Sequence, residues 1–192
     1  MLLKTISNTQ KMKQYLLINI LALIPFISFG QSQESPKGIG FAINSNIDGE
    51  LYPVRVVPSA LYYKGKNQFE LGVGFNPINR TTQKLVSGEI NYKRFPNGFD
   101  QKFNLYFVSR ISYVKRAIQN YFPTSYNYLF VHGGYGFEIN PFKNSFISTN
   151  VCIGAFTYNK SSKIPYDAFK RQELFDEIDL NLAFQFNIGY RL

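Results

Sequence analysis

The 192 residues include 21 Lys and Arg against 12 Asp and Glu, a formal net charge of +9, with a single His and a single Cys. The lone cysteine, Cys152, excludes an intramolecular disulfide and a cysteine-built zinc cluster, and the lone histidine, His132, excludes a multi-histidine metal site. The 17% aromatic content, with 19 Phe and 14 Tyr, fits a strand-rich chain, and no apolar run beyond residue 30 is long enough for a membrane-spanning helix.

Lys11 and Lys13 precede an uncharged apolar stretch, residues 15–29, and Ser28-Phe29-Gly30 sets small residues where a signal peptidase cuts. This is the pattern of a signal peptide over residues 1–30, and its apolar part falls short of the ~20 residues that a helical anchor needs. Met12 is an alternative start, because Met12-Lys13 alone already supplies a basic head. A short polar lead follows over residues 31–37. Removing the leader takes Lys4, Lys11 and Lys13 and no acid, so the exported chain keeps +6 of the +9. The remaining cations are scattered rather than gathered into a stripe, which argues against nucleic acid and for anionic lipopolysaccharide or internal pairing.

From residue 38 onward the period is two, which places alternate side chains on opposite faces of a strand. The first strand, residues 38–46, sets Ile39, Phe41 and Ile43 against Gly40, Ala42 and Asn44. The second falls within residues 53–63, where Val56-Val57-Pro58 breaks the alternation; Pro58 cannot donate to a ladder, so a bulge is expected there. Residues 68–76 set Phe69, Leu71, Val73 and Phe75 against Glu70, Gly72 and Gly74, and residues 84–94 set Val86, Ile90 and Tyr92 against Ser87, Glu89, Asn91 and Lys93. The fifth and sixth strands are expected over residues 102–114 and 127–140, with Arg110, His132 and Glu138 on their polar faces. The seventh spans residues 145–158, with Cys152 on its polar face.

The last stretch is the clearest. Leu180, Leu182, Phe184, Phe186, Ile188, Tyr190 and Leu192 take every second position, with Asn181, Ala183, Gln185, Asn187, Gly189 and Arg191 between them. That is longer than the ~5–6 residues of a usual soluble strand and covers the ~9–11 that a tilted strand needs to cross a bilayer. Connections at residues 64–67, 95–101 and 141–144 are turn-like, whereas those near 45–52, 77–83, 115–126 and 159–177 are mostly longer. Together these features predict an all-β chain, an eight-stranded antiparallel up-and-down transmembrane β-barrel over residues 38–192 with termini and short turns on the periplasmic side. A soluble barrel of the lipocalin kind would share the strand count but would not need Phe and Leu on an outer face.

The terminal strand resembles the one by which bacterial outer-membrane proteins are recognised for insertion, with Leu192 where Phe is most often last. As a whole, residues 38–192 resemble the small outer-membrane β-barrel families common in Bacteroidetes-type bacteria and are similar, by pattern only, to the OmpA/OmpX/OmpW-like group. The resemblance implies the fold and an outer-membrane location, and it carries over no catalytic residue.

An eight-stranded barrel is just wide enough for its interior to fill with side chains. Glu70, Glu89, Lys93, Arg110 and Glu138, with Arg191 at the end of the last strand, are therefore expected as a mutually paired luminal charge network. His132 is followed by Gly133-Gly134 rather than a nearby serine on its own face, so a luminal or rim hydrogen bonder is expected rather than the histidine of a lipid A deacylase or acyltransferase. The 159–177 connection brings together Lys160, Lys163, Tyr166, Phe169, Lys170 and Arg171, a mixture suited to lipopolysaccharide phosphates or a protein partner, with a short helix expected over residues 166–177. The sequence thus predicts a non-enzymatic barrel without metal or cofactor, acting through its extracellular loops in envelope integrity, adhesion or partner binding. Its expected contacts are outer-membrane lipids and lipopolysaccharide, the barrel assembly machinery during insertion, and an envelope protein. An outer-leaflet lipid-modifying enzyme and a narrow solute channel stay open as alternatives.

Overall fold

The computed structural model describes residues 36–51, 54–77, 83–99, 101–119, 121, 123–162 and 172–192. The expected signal peptide and all but the last two residues of the polar lead lie outside these. Eight strands follow in chain order: β1 (Lys37–Asp48), β2 (Arg55–Lys64), β3 (Asn67–Phe75), β4 (Gln83–Arg94), β5 (Phe103–Ile118), β6 (Thr124–Phe142), β7 (Ser145–Ser162) and β8 (Asp179–Arg191). Each pairs antiparallel with the next, and β8 pairs back onto β1, with Phe41 opposite Tyr190 and Ile47 opposite Phe184, so the sheet closes into a barrel.

Closure follows from the alternation. A sheet with one apolar and one polar face must hide one of them, and curling it removes both free edges at once. Here the face turned inward is the polar one. Leu71 and Val73 stand 65% and 63% exposed on the outside, while Glu70, next to Leu71 in the chain, is 1% exposed. The same inversion runs through β8, where Leu182 is 63% exposed and Gln185 fully buried.

Turn chemistry sets the tight end. Gly65, at φ 62°, opens the two-residue link between Lys64 and Asn67, and Asn144, at φ 76°, closes the link between Phe142 and Ser145. The β4–β5 turn at this end is held by Gly98 donating its N–H to Phe95 O at 3.1 Å.

Three expectations are corrected. Pro58 produces no bulge: Val56 opposite Phe75 and Ser59 opposite Gly72 keep one register across it. The proline faces outward and loses only ladder pairing toward β3, while its pairing with Ile43 of β1 persists. The register shift instead lies between Ile139 and Phe142, around Pro141, a residue expected in the turn. The connection expected over residues 115–126 is mostly strand, since β5 runs on to Ile118 and β6 begins at Thr124; likewise β7 continues to Ser162. Beyond the apolar belt the outer face turns polar, as in Lys115 opposite Asn127, so the outward hydrophobic alternation disappears while the backbone ladder continues. These three strands, 16, 19 and 18 residues long, stand beyond the others at the loop end.

Candidate functional site

The interior is stratified, and each layer follows from positions of one parity on successive strands. Nearest the tight end, Arg191 forms a two-point ion pair with Glu138 at 2.9 and 2.7 Å and donates to Gln68 Oε1 at 3.0 and 2.8 Å. Its guanidinium lies 4.3 Å from the Phe146 ring centroid and 4.6 Å from that of Phe99. A planar cation between aromatic rings, with its donors on a carboxylate, suits arginine and not lysine. Phe95, Phe99, Tyr106, Val108, Cys152 and Ala183 form the apolar packing of this end.

Deeper in, Lys93 and Glu70 meet at 2.5 Å, both fully buried. Glu70 also accepts from Gln68 at 2.6 Å, Asn91 at 3.2 Å and Asn44 at 3.3 Å. Glu89 accepts from Asn91 and Gln185, each at 2.8 Å, and from Asn46. Buried charge at this density is tolerated because Glu70 and Glu89 each collect several donors. Asp48 and Arg55 form a further buried ion pair toward the loop end. Above them, Leu51, Leu85, Val114, Tyr128, Phe130 and Phe156 close the lumen with apolar and aromatic side chains, flanked by Tyr126 and Tyr158.

Of the luminal charges read from the sequence, Glu70, Glu89, Lys93 and Glu138 lie inside and hold the partners just described. Arg110 departs from the expected pairing: fully buried, it lies within electrostatic reach of Glu89 and Asp48 yet hydrogen-bonds to neither. His132 faces the lumen, but its ring nitrogens meet no hydrogen-bonding side chain or backbone group, and its ring stacks on Phe130 at 5.6 Å and 12°. The hydrogen-bonding role expected of it is therefore replaced by stacking beneath the aromatic closure.

Sequence reasoning missed Asp48, Arg55, Asn46, Gln68 and Gln185. Asn46 and Asp48 continue the polar face that Asn44 begins, so the pattern pointed to them; Arg55 was hidden because the register of β2 was unread. Of the loop residues, Lys160 lies on β7, opposite Tyr126 and bridged to Gln172. Lys163, Tyr166, Phe169, Lys170 and Arg171 lie outside the described residues. The helix expected over residues 166–177 is absent from its described part: residues 172–177 form a turn in which Phe175, at φ 74°, donates its N–H to Thr157 Oγ1 at 2.9 Å.

Outside, apolar side chains ring the barrel, from Ile39 and Phe41 on β1 through Leu105 and Ile111 on β5 to Ile188 on β8. Aromatic pairs brace this surface near the tight end, with Phe69 and Tyr92 at 5.0 Å and Phe41 and Tyr190 at 6.0 Å. Among the described residues no group of His, Cys, Asp and Glu could hold a metal ion.

No family model and no curated protein matches the sequence. Among solved structures, the chain is similar to a major outer membrane protein from Thermus thermophilus, at 12% identity over 80% of this chain and 99% of that one, with a TM-score of 0.46. It is also similar to Neisserial surface protein A, at 11% identity over 81% and 96% of the two chains, with a TM-score of 0.44.

Proposed function

We propose that this chain is an exported outer-membrane barrel whose interior serves as a structural plug and whose work is done at its loop end, without catalysis. One observation carries the reading: the exterior is apolar and the interior ionic, as Leu71 at 65% and Glu70 at 1% exposure exemplify. In water that arrangement would leave a continuous apolar surface far beyond what soluble monomers expose. In a bilayer it satisfies every backbone group and places apolar side chains against lipid. The aromatic closure at one end and the Arg191-centred closure at the other support a filled rod over a solute channel. The position of His132, under the aromatic closure and away from the lipid-facing surface, supports a non-catalytic role over acyl transfer.

Folded protein in detergent should migrate differently on a gel before and after boiling. In vesicles, Leu71→Arg should cost about 2–4 kcal/mol, the penalty of a cation near the bilayer midplane. For a barrel whose outer face meets water the same change would stay within about 0.5 kcal/mol. Equal migration and a near-neutral Leu71→Arg would overturn the membrane reading. Lipopolysaccharide from a deletion strain should keep its acylation pattern by mass spectrometry; a changed acyl chain count would make the protein an enzyme.

A further inference from the structure

The tight end carries six cations: Lys37 at the start of β1, Lys64 at the end of β2, Lys66 in the following turn, Arg94 at the end of β4, Lys102 before β5 and Lys143 in the β6–β7 turn. The described acids at this end reduce to Glu138, buried and paired with Arg191; Asp100 lies outside the described residues. The loop end is mixed instead, with Lys84 and Lys115 facing out and Glu50, Asp176, Glu177 and Asp179 exposed.

These cations do not form one patch. They are spread over β1, β2, β4, the lead into β5 and two separate turns, and all but the half-buried Arg94 are exposed. Each also stands at the edge of the apolar belt. Lys64 lies two residues from the outward-facing Tyr62 and Arg94 two from Tyr92, Lys102 Nζ sits 6.0 Å from the ring centroid of Phe103, and Lys143 follows the exposed Phe142. Lys37 and Lys64 face one another across the β1–β2 ladder, doubling the positive charge at one point of the rim.

We infer that this rim is a binding collar for anionic phospholipid headgroups in the leaflet the tight end faces. The inference rests on the membrane reading above and adds the identity of the lipid at one end. A ring at the height where apolar side chains give way to water meets phosphates around the whole circumference, whereas a protein partner would call for charge gathered on one side. Aromatic rings beside the lysines hold the same depth, since their apolar bodies sit in the acyl region and their edges in the headgroup layer. Attraction of basic side chains to anionic lipid at a membrane surface is worth about a fivefold change in occupancy for each cation.

The test places the full exported chain in bilayers of phosphatidylglycerol mixed with phosphatidylcholine and counts the lipids retained on its release by native mass spectrometry. The wild type should retain phosphatidylglycerol in preference. Replacing Lys37 and Lys64 by Gln should lower that retention about 25-fold, and replacing all six cations by Gln should abolish the preference. The outer-rim variant K84Q/K115Q should behave as the wild type. The gel shift on boiling, retained in every variant, separates loss of the collar from loss of the barrel. Equal retention of the two lipids by the wild type, or an unchanged preference in the six-residue variant, would overturn the collar while leaving the membrane reading intact. Failure of the wild type to enter bilayers would remove the membrane reading and the collar together.

Discussion

Replacing Lys93 by Met should destabilise the folded barrel by about 3–5 kcal/mol, measured by urea titration in vesicles, because it strands a buried carboxylate. Glu70 sits at 1% exposure with its cation 2.5 Å away. Its amide donors, Gln68, Asn91 and Asn44, would remain but supply dipoles rather than charge. The double replacement Lys93→Met with Glu70→Met removes both ions and should recover most of the loss, since a buried pair exchanged for apolar groups of similar volume is often neutral or stabilising. A coupling energy near zero between the two sites would mean that the pair does not act as a unit.

Deleting residues 190–192 should abolish assembly, whereas deleting three residues between 163 and 171 should leave it intact. The last residues close the seam: Leu192 donates to Ile39 O at 2.8 Å, Arg191 donates to Asn144 O at 2.7 Å, and Tyr63 donates its hydroxyl to Leu192 O at 2.6 Å. Without them β1 keeps an unpaired edge at the tight end, and such an edge in lipid has no partner for its backbone groups. The deletion also removes Arg191, leaving Glu138 buried and uncompensated. Arg191→Met alone isolates that part of the effect, and a loss of about 3–5 kcal/mol with the seam intact is expected. Normal membrane levels of the truncated chain, read by immunoblot of isolated outer membranes, would refute the role assigned to the seam.

Strand count, inside-outside parity and six of the eight described luminal charges, all but Asp48 and Arg55, were legible in the sequence because an apolar exterior and a narrow lumen impose opposite demands on neighbouring positions. Leu71 and Glu70 could not both be satisfied any other way. The reading failed where one of those demands lapses. Past the belt, Lys115 and Asn127 share the outward face, so β5 and β6 looked like loop although their ladder continues. Pro58 looked disruptive because its missing donor was counted without its direction; it points at a neighbour that tolerates the gap. Arg110 and His132 were placed correctly inside, but their surroundings depend on which side chains meet across the lumen, and a one-dimensional pattern does not encode that.

Cys152 lies on the inner face of β7, 1% exposed among Phe95, Tyr106 and Ala183, with its thiol 3.4 Å from Asn150 Oδ1. Both ends of the space it occupies are stoppered, so an alkylating reagent reaches the sulfur only when strands part. The chain therefore carries its own stopwatch. At saturating reagent the labelling rate equals the opening rate of the barrel, and at low reagent it reports the fraction of time spent open, without an engineered probe.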